Sequence, residues 1–150
     1  MLRDGEDLHC SYGMVRWADI EAAGIGGVVK SNKGVGFNVL EPSILDFIAK
    51  AKRGPQAMTL KDMGLAVAYS GIHSGSRVLE AGTGSGLFTM YLAHIVYPED
   101  VVTYEVREDF RNIAKKNFER FDIKNVKSEL RDIYEGVDEL GLDAVFLDLT

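Results

Sequence analysis

The chain has 150 residues, 46% of them hydrophobic, which is enough for a buried core in one domain with a small appendage. The N-terminus MLRDGEDLHC has acids where a secretory signal has a basic end, and no apolar run reaches about 18 residues, so the expectation is a cytoplasmic protein with no membrane partner. The net charge of −6 excludes recruitment of a polyanion by bulk field; residues 1–61 are nearly neutral and residues 62–150 hold the acid, so binding of that kind would need a local patch such as Lys50, Lys52 and Arg53.

From Leu8 to Leu40 the sequence breaks into short β-prone pieces, HCSYGMVRW, GGVVKSN and VGFNVL, separated by glycines and without a convincing helical stripe. A small twisted β unit is expected. The single cysteine, Cys10, lacks a disulfide partner or clustered histidines and reads as a plain, buried structural thiol; no metal site is expected. Ser43 opens a helix, with Asp46 three positions on as a capping-box echo and Ile44, Phe47, Ile48 and Ala51 on one face. Arg53-Gly54-Pro55 stops it and marks the domain boundary, giving residues 1–53 and 54–150. The cations at this helix end also suit a solvated end that favours the helix dipole.

Beyond the boundary helices and strands alternate. Thr59 caps a helix with Leu60, Met63 and Val67 on one side; RVLEAG is a strand, Leu87 to Val96 a helix, and VVTYEV the next strand. Phe110, Ile113, Ala114, Asn117, Phe118 and Phe121 recur at helical spacing, then VKSELRD and AVFLDL close the series as strands. Repeated strand-helix-strand units imply a parallel sheet with helices on both faces, which binds ligands at the carboxyl ends of its strands.

The stretch VLEAGTGSGLFT places Gly82, Gly84 and Gly86 between a strand and a helix. Such a loop lets a ligand approach bare backbone, and the helix opening near Ser85 offers free N–H groups to an anion. The dinucleotide fingerprint would need a glycine where Leu87 stands, and no Gly-Lys-Ser/Thr follows for a phosphate-cradling loop. The spacing is E-x-G-x-G-x-G from Glu80 to Gly86. Glu105 ends the second strand, where a carboxylate can accept both hydroxyls of a ribose, and Asp132 ends the third, where it can accept an exocyclic amine of adenine.

Together these residues resemble the S-adenosylmethionine site of class I methyltransferases over about residues 56 to 148. The text from GGVVKSNKGVGFNVLEPSILDF through RGPQAMTLKD to VLEAGTGSG, VTYEVREDFRNIAKKN and LDL is similar to the tRNA (adenine-N1)-methyltransferases. The resemblance implies an α/β fold, a doubly wound Rossmann-like methyltransferase sheet preceded by a small N-terminal β domain, and a homo-oligomer, tetrameric by family. It implies that Gly82, Gly84 and Gly86 approach the methionine part of the cofactor with Ser85 between them, and that Glu80 holds its amino group. Glu105 would take the ribose, Asp132 the adenine, Gln56 would close over the cofactor, and Asp148 would be the catalytic aspartate. The family acts on adenosine 58 of the tRNA T loop and, in archaeal members, also 57. Its members usually have tyrosine and proline before the lysine and aspartate of the entering segment, where this chain reads Met58-Thr59-Leu60-Lys61-Asp62.

A full class I domain has seven strands, and Thr150 follows the fourth, so a truncated sheet with an exposed apolar edge is expected, and with it little activity from these 150 residues alone. Three other readings stay open: a protein isoaspartyl methyltransferase, which the N-terminal β unit disfavours; a noncatalytic subunit, which the three acids disfavour; and an NAD-dependent oxidoreductase, which Leu87 disfavours.

Overall fold

The structure is a computed structural model that describes residues 5–54 and 56–149. Pro55 of the expected Gly-Pro boundary, Thr150 at the expected truncation and the first four residues of the N-terminal stretch lie outside the described residues. The chain divides into two compact units, Met1–Asp46 and Phe47–Thr150.

The first unit is built on two antiparallel hairpins, as its glycine-separated pieces predict. Strand β1 (Leu8–Cys10) pairs with β2 (Gly13–Val15), and β3 (Val28–Lys30) with β4 (Gly36–Asn38). The hairpins are tied together through Asn32 and Met14: Asn32 N–H donates to Met14 O at 2.9 Å, and the Asn32 side-chain carbonyl accepts from Met14 N–H at 3.0 Å. Val15 and Val29 are buried in this unit. Between the hairpins runs a helix the sequence does not announce, α1 (Trp17–Ala23). It is two turns long and buries no residue, so it carries no apolar stripe to read; the Arg16–Asp19 ion pair at 2.9 Å spans its first turn instead. Cys10 is exposed, contrary to the expectation of a buried thiol: it is the last residue of β1, next to the turn of the hairpin, where its Sγ donates to Gly13 O at 3.4 Å.

Helix α2 (Ile44–Lys50) crosses the division between the units. Its cap is the expected reciprocal one: Ser43 N–H donates to the Asp46 carboxylate at 2.8 Å, and Asp46 N–H donates back to Ser43 Oγ at 3.4 Å.

The second unit contains α3 (Leu60–Ser70), β5 (Val78–Ala81), α4 (Leu87–Val96), β6 (Val101–Glu105), α5 (Glu108–Arg120), β7 (Val126–Leu130), a 3-10 turn (Ile133–Glu135) and β8 (Ala144–Leu147). Thr59 caps α3 as expected, accepting from Asp62 N–H. The four strands form one parallel sheet in the order β7-β6-β5-β8. This is the expected Rossmann-like α/β sheet, and the order reverses direction between β5 and β8, the place where such sheets open a crevice.

Strand alternation assigns the two faces of the sheet. Leu79, Ala81 and Tyr104 form a buried cluster on one face, against Val102, Ile133 and Leu142. Val78, Glu80, Val101 and Thr103 point the other way, toward the helices, by the period of two along each strand. α4 buries seven of its ten residues, while α5 buries Ala114, Asn117 and Phe118 and exposes its charges except the half-buried Arg111. Phe88 of α4 meets Phe146 of β8 edge to face at 5.2 Å. The outer edge of β8 is unpaired among the described residues, with Val145 and Leu147 exposed.

Candidate functional site

The carboxyl ends of the four strands surround a cavity of about 790 Å³, within the size range of small-molecule sites. Gln56, Glu80, Gly82, Gly84, Ser85, Glu105, Asp132 and Asp148 all line it. Gly86 does not. Its contact is with the protein: a Cβ there would fall 2.6 Å from the Phe118 ring and 2.9 Å from Ala114 Cβ, on a backbone with φ of 77°. Gly86 thus lets α5 pack against the start of α4, for which it is the N-terminal cap residue.

Main-chain bonds stitch the mouth of the cavity together. Asp148 N–H donates to Ala81 O at 2.6 Å, Gly82 N–H donates to Asp148 O at 3.2 Å, and Thr83 N–H donates to Tyr104 O at 3.1 Å. The glycine loop is therefore fastened to β8 on one side and β6 on the other, at the point where the strand order reverses. A Cβ on Gly82 would stand 3.4 Å from Glu105 Oε2, so the loop runs directly over that carboxylate.

The three acids of the first strands are held in different ways. Glu80 is only 1% exposed, and its Oε2 accepts from Thr89 Oγ1 at 2.5 Å and from Thr103 Oγ1 at 2.8 Å. Thr103 Oγ1 lies 2.7 Å from Thr83 Oγ1. Among the described residues no donor meets Oε1, and no buried side-chain polar atom is left without a partner, so this oxygen turns to the cavity that Glu80 lines. Burial pushes the Glu80 carboxyl up to about 7; the two threonine hydroxyls pull it down less strongly, and the charges of Asp148 and Glu105 add to the rise. A cationic group arriving at Oε1 would favour the ionised form.

Glu105 is buried at the end of β6, its Oε2 accepting Gly84 N–H at 2.8 Å and its Oε1 accepting Arg107 N–H at 2.9 Å. A carboxylate has about four acceptor directions, so the fixed group still has capacity for two hydroxyls. Asp132 stands beyond the last residue of β7, where the sequence reading ends the strand at the aspartate itself. Its Oδ1 accepts Tyr134 N–H at 2.9 Å and so opens the 3-10 turn, leaving Oδ2 for a ligand. Asp148 follows β8 directly and is exposed at the cavity. Gln56 is also exposed, in a left-handed conformation with φ of 56°.

Some residues that shape the site escape a reading by motif. Thr89 and Thr103 look like ordinary members of a buried helix and strand; the signal for Thr103 is its register opposite Glu80 in the parallel pair. Asn117 sits in the apolar stripe of α5 and is 2% exposed. Its amide accepts from Lys52 N–H at 2.9 Å and donates to Lys52 O and Ser85 O, each at 2.9 Å. A polar residue in a buried stripe needs such partners, and that is the signal in the sequence. Arg107 and Phe110 also line the cavity, with the guanidinium 3.8 Å from the ring centroid.

In chemical terms the arrangement suits one elongated ligand with a cationic group at Glu80, a vicinal diol at Glu105 and an amine at Asp132. A second, exposed carboxylate, Asp148, faces the same space from β8.

The chain is 35% identical to the tRNA (adenine(57)-N(1)/adenine(58)-N(1))-methyltransferase TrmI of Methanocaldococcus jannaschii, over 96% of its own length and 60% of the relative's. Among solved structures it is similar to the tRNA (m1A58) methyltransferase TrmI of Aquifex aeolicus, with a TM-score of 0.77 and 28% identity, covering 98% of this chain and 58% of that one. A SAM-dependent O-methyltransferase of Thermotoga maritima matches with a TM-score of 0.82 and 31% identity, covering 99% and 56%. The chain thus spans about 60% of the length of the curated relative. Residues 48–150, which contain every residue lining the cavity, match the family described as the tRNA methyltransferase complex GCD14 subunit, and the chain belongs to that family.

Proposed function

We propose that the protein transfers a methyl group from S-adenosylmethionine to N1 of an adenosine in the tRNA T loop, at position 58 and, as in the name of the archaeal relative, at 57. The observation that carries this reading is the order of the acids along one cavity. Glu80, Glu105 and Asp132 follow one another across adjacent strands β5, β6 and β7, as the ammonium, ribose and adenine of one cofactor do, while Asp148 stands alone on β8. The same reading makes the protein a cytoplasmic homo-oligomer.

When bound, the cofactor supplies a methyl group activated by the positive charge of its sulfur. Glu80 Oε1 accepts from the cofactor ammonium. Gly82 and Gly84 leave the backbone bare beside it, and Ser85 closes the turn. Glu105, held by two main-chain N–H groups, accepts the ribose hydroxyls, and Asp132 Oδ2 accepts from the adenine amine. Gln56 covers the cofactor from the entering segment.

N1 of the target adenosine already offers a lone pair, so the site need only position it and requires no strong base. Asp148 accepts from the exocyclic amine of that base and meets the positive charge that develops on the ring. N1 lies on the pairing edge of the base, so the nucleotide must leave its tRNA contacts to enter the cavity.

The test is mass spectrometry of unmodified tRNA incubated with the protein and S-adenosylmethionine. The expected product is 1-methyladenosine in the T loop. Methylation of an isoaspartyl peptide, with none on tRNA, overturns the reading in favour of a carboxylate acceptor.

A further inference from the structure

The net charge of the chain is −6, yet five cations meet on one face of its second unit: Lys50, Lys52 and Arg53 around the end of α2, and Lys116 and Arg120 on α5. All five are exposed, and none is in an ion pair among the described residues.

Two features bring them together. The buried Asn117 amide clamps the main chain of Lys52 through both its N–H and its carbonyl. Arg120 Nη1 then donates to Lys50 O at 3.1 Å, laying the guanidinium along the end of α2. Beneath them Phe47 and Phe121 stack with ring centroids 5.0 Å apart. Lys116 is four residues before Arg120 and shares its helix face. The one acid beside this group on α5 is Glu119, three residues after Lys116 and four after Lys115; it is in no ion pair among the described residues, and the five cations outnumber it.

The cations also lead to the cavity. Arg53 Nη2 donates to Ala57 O at 3.4 Å, and Gln56, Ala57 and Met58 form part of the cavity wall. Asn117 holds Ser85 of the glycine loop by the same amide that holds Lys52. The clamp therefore fixes the cationic face and the ligand loop to one side chain.

Exposed cations without ion-pair partners, gathered on two segments that Asn117 and Arg120 hold together in an otherwise acidic protein, are suited to phosphate rather than to carboxylates scattered on a protein partner. We infer that Lys50, Lys52, Arg53, Lys116 and Arg120 form the surface along which the phosphate backbone of the RNA substrate runs as its target base enters the cavity. This rests on the tRNA reading and adds to it the path of the strand. The contacts are to phosphate and carry no sequence information; they set register and supply salt-dependent affinity.

The test uses Lys50→Gln, Lys52→Gln and Lys116→Gln together, because no side-chain bond of these three lysines is part of the fold described above. Binding of an unmodified tRNA transcript is titrated across a range of salt, alongside S-adenosylmethionine affinity and thermal melting. The expected result is a loss of tRNA affinity of about tenfold or more at low salt, and a salt slope smaller by about 2, with cofactor affinity and melting unchanged. The matching Lys→Arg triple variant should bind tRNA as the wild type does. Wild-type affinity and slope in the glutamine variant overturn the surface, as does an equal loss in the arginine variant. If the wild-type protein binds and methylates tRNA while these variants are indifferent, the surface alone fails. If the wild type binds no tRNA, both readings fail.

Discussion

Thr89 Oγ1 donates a 2.5 Å hydrogen bond to Glu80 Oε2 inside the covered seam between α4 and the sheet. The bond ties the first turn of the helix to the acid that leads into the glycine loop. It also holds an ionisable carboxyl that is only 1% exposed, open to water solely on its cavity side. Its consequences concern protons first.

The Glu80 carboxyl titrates at about 7 in the folded chain against 4.5 unfolded, chiefly through burial. An acid whose pKa rises on folding contributes most to stability when protonated. Its contribution is therefore complete below about pH 4.5 and is lost as pH rises to about 7. Glu80→Gln should abolish this slope, so that without cofactor the variant melts higher than the wild type above about pH 7, while it binds S-adenosylmethionine at least about tenfold more weakly. Melting curves across that range and calorimetric titration check both arms; parallel pH profiles in the two proteins would show that Glu80 does not titrate there.

Cofactor binding should release a proton near neutral pH, because a cation at Oε1 favours ionised Glu80. Thr89→Val or Thr103→Val removes a donor that pulls the carboxyl down. In each variant the pH midpoint of cofactor affinity should move upward, and affinity should recover toward the wild-type value at higher pH. Titrations in buffers of different ionisation enthalpy measure the released proton. A lower melting temperature with an unmoved midpoint would mean that the hydroxyls serve packing alone.

Gly84 and Gly86 should separate cleanly although they are two residues apart in one loop. Gly86→Ala places a methyl group against the Phe118 ring on a left-handed backbone, and the fold should lose about 2 kcal/mol or more. Gly84→Ala meets no atom within 4 Å, so its cost is confined to about 1 kcal/mol of backbone strain, while its methyl group projects toward the ligand and weakens cofactor binding. Denaturant melts and cofactor titration on both variants decide this, and equal melts would contradict it.

Asp148→Asn preserves shape and one acceptor but removes the charge that meets the cationic product ring. Methylation should slow about a hundredfold or more with cofactor affinity nearly unchanged. The side chain is exposed and the strand end is held by main-chain bonds, so the variant should fold normally. Single-turnover rates with tRNA provide the measurement, and a full-rate variant would leave Asp148 without a chemical role.

The sequence by itself determined the parallel α/β sheet and the residues gathered at its carboxyl ends. Strand and helix periods are local, and glycines and acids at strand ends stand next to the turns they serve. Glu80, Gly82, Gly84 and Glu105 could therefore be placed at the carboxyl ends of the strands from the sequence, although the same spacing also grouped Gly86 with them. Helix α1 escaped because two turns with nothing buried leave no period to detect. Only the tertiary structure decided how the site is held. Thr103 reaches Glu80 across 23 residues by strand register, and Asn117 clamps Lys52 across 65 by the packing of α5 on the chain leaving α2. It also divided the glycines, since the ring that requires Gly86 to lack a side chain belongs to Phe118, on a helix that the loop's own sequence does not describe. Burial shifts a carboxyl toward neutral pH only when neighbours from other strands and helices exclude water, and that exclusion is a property of the assembled layers.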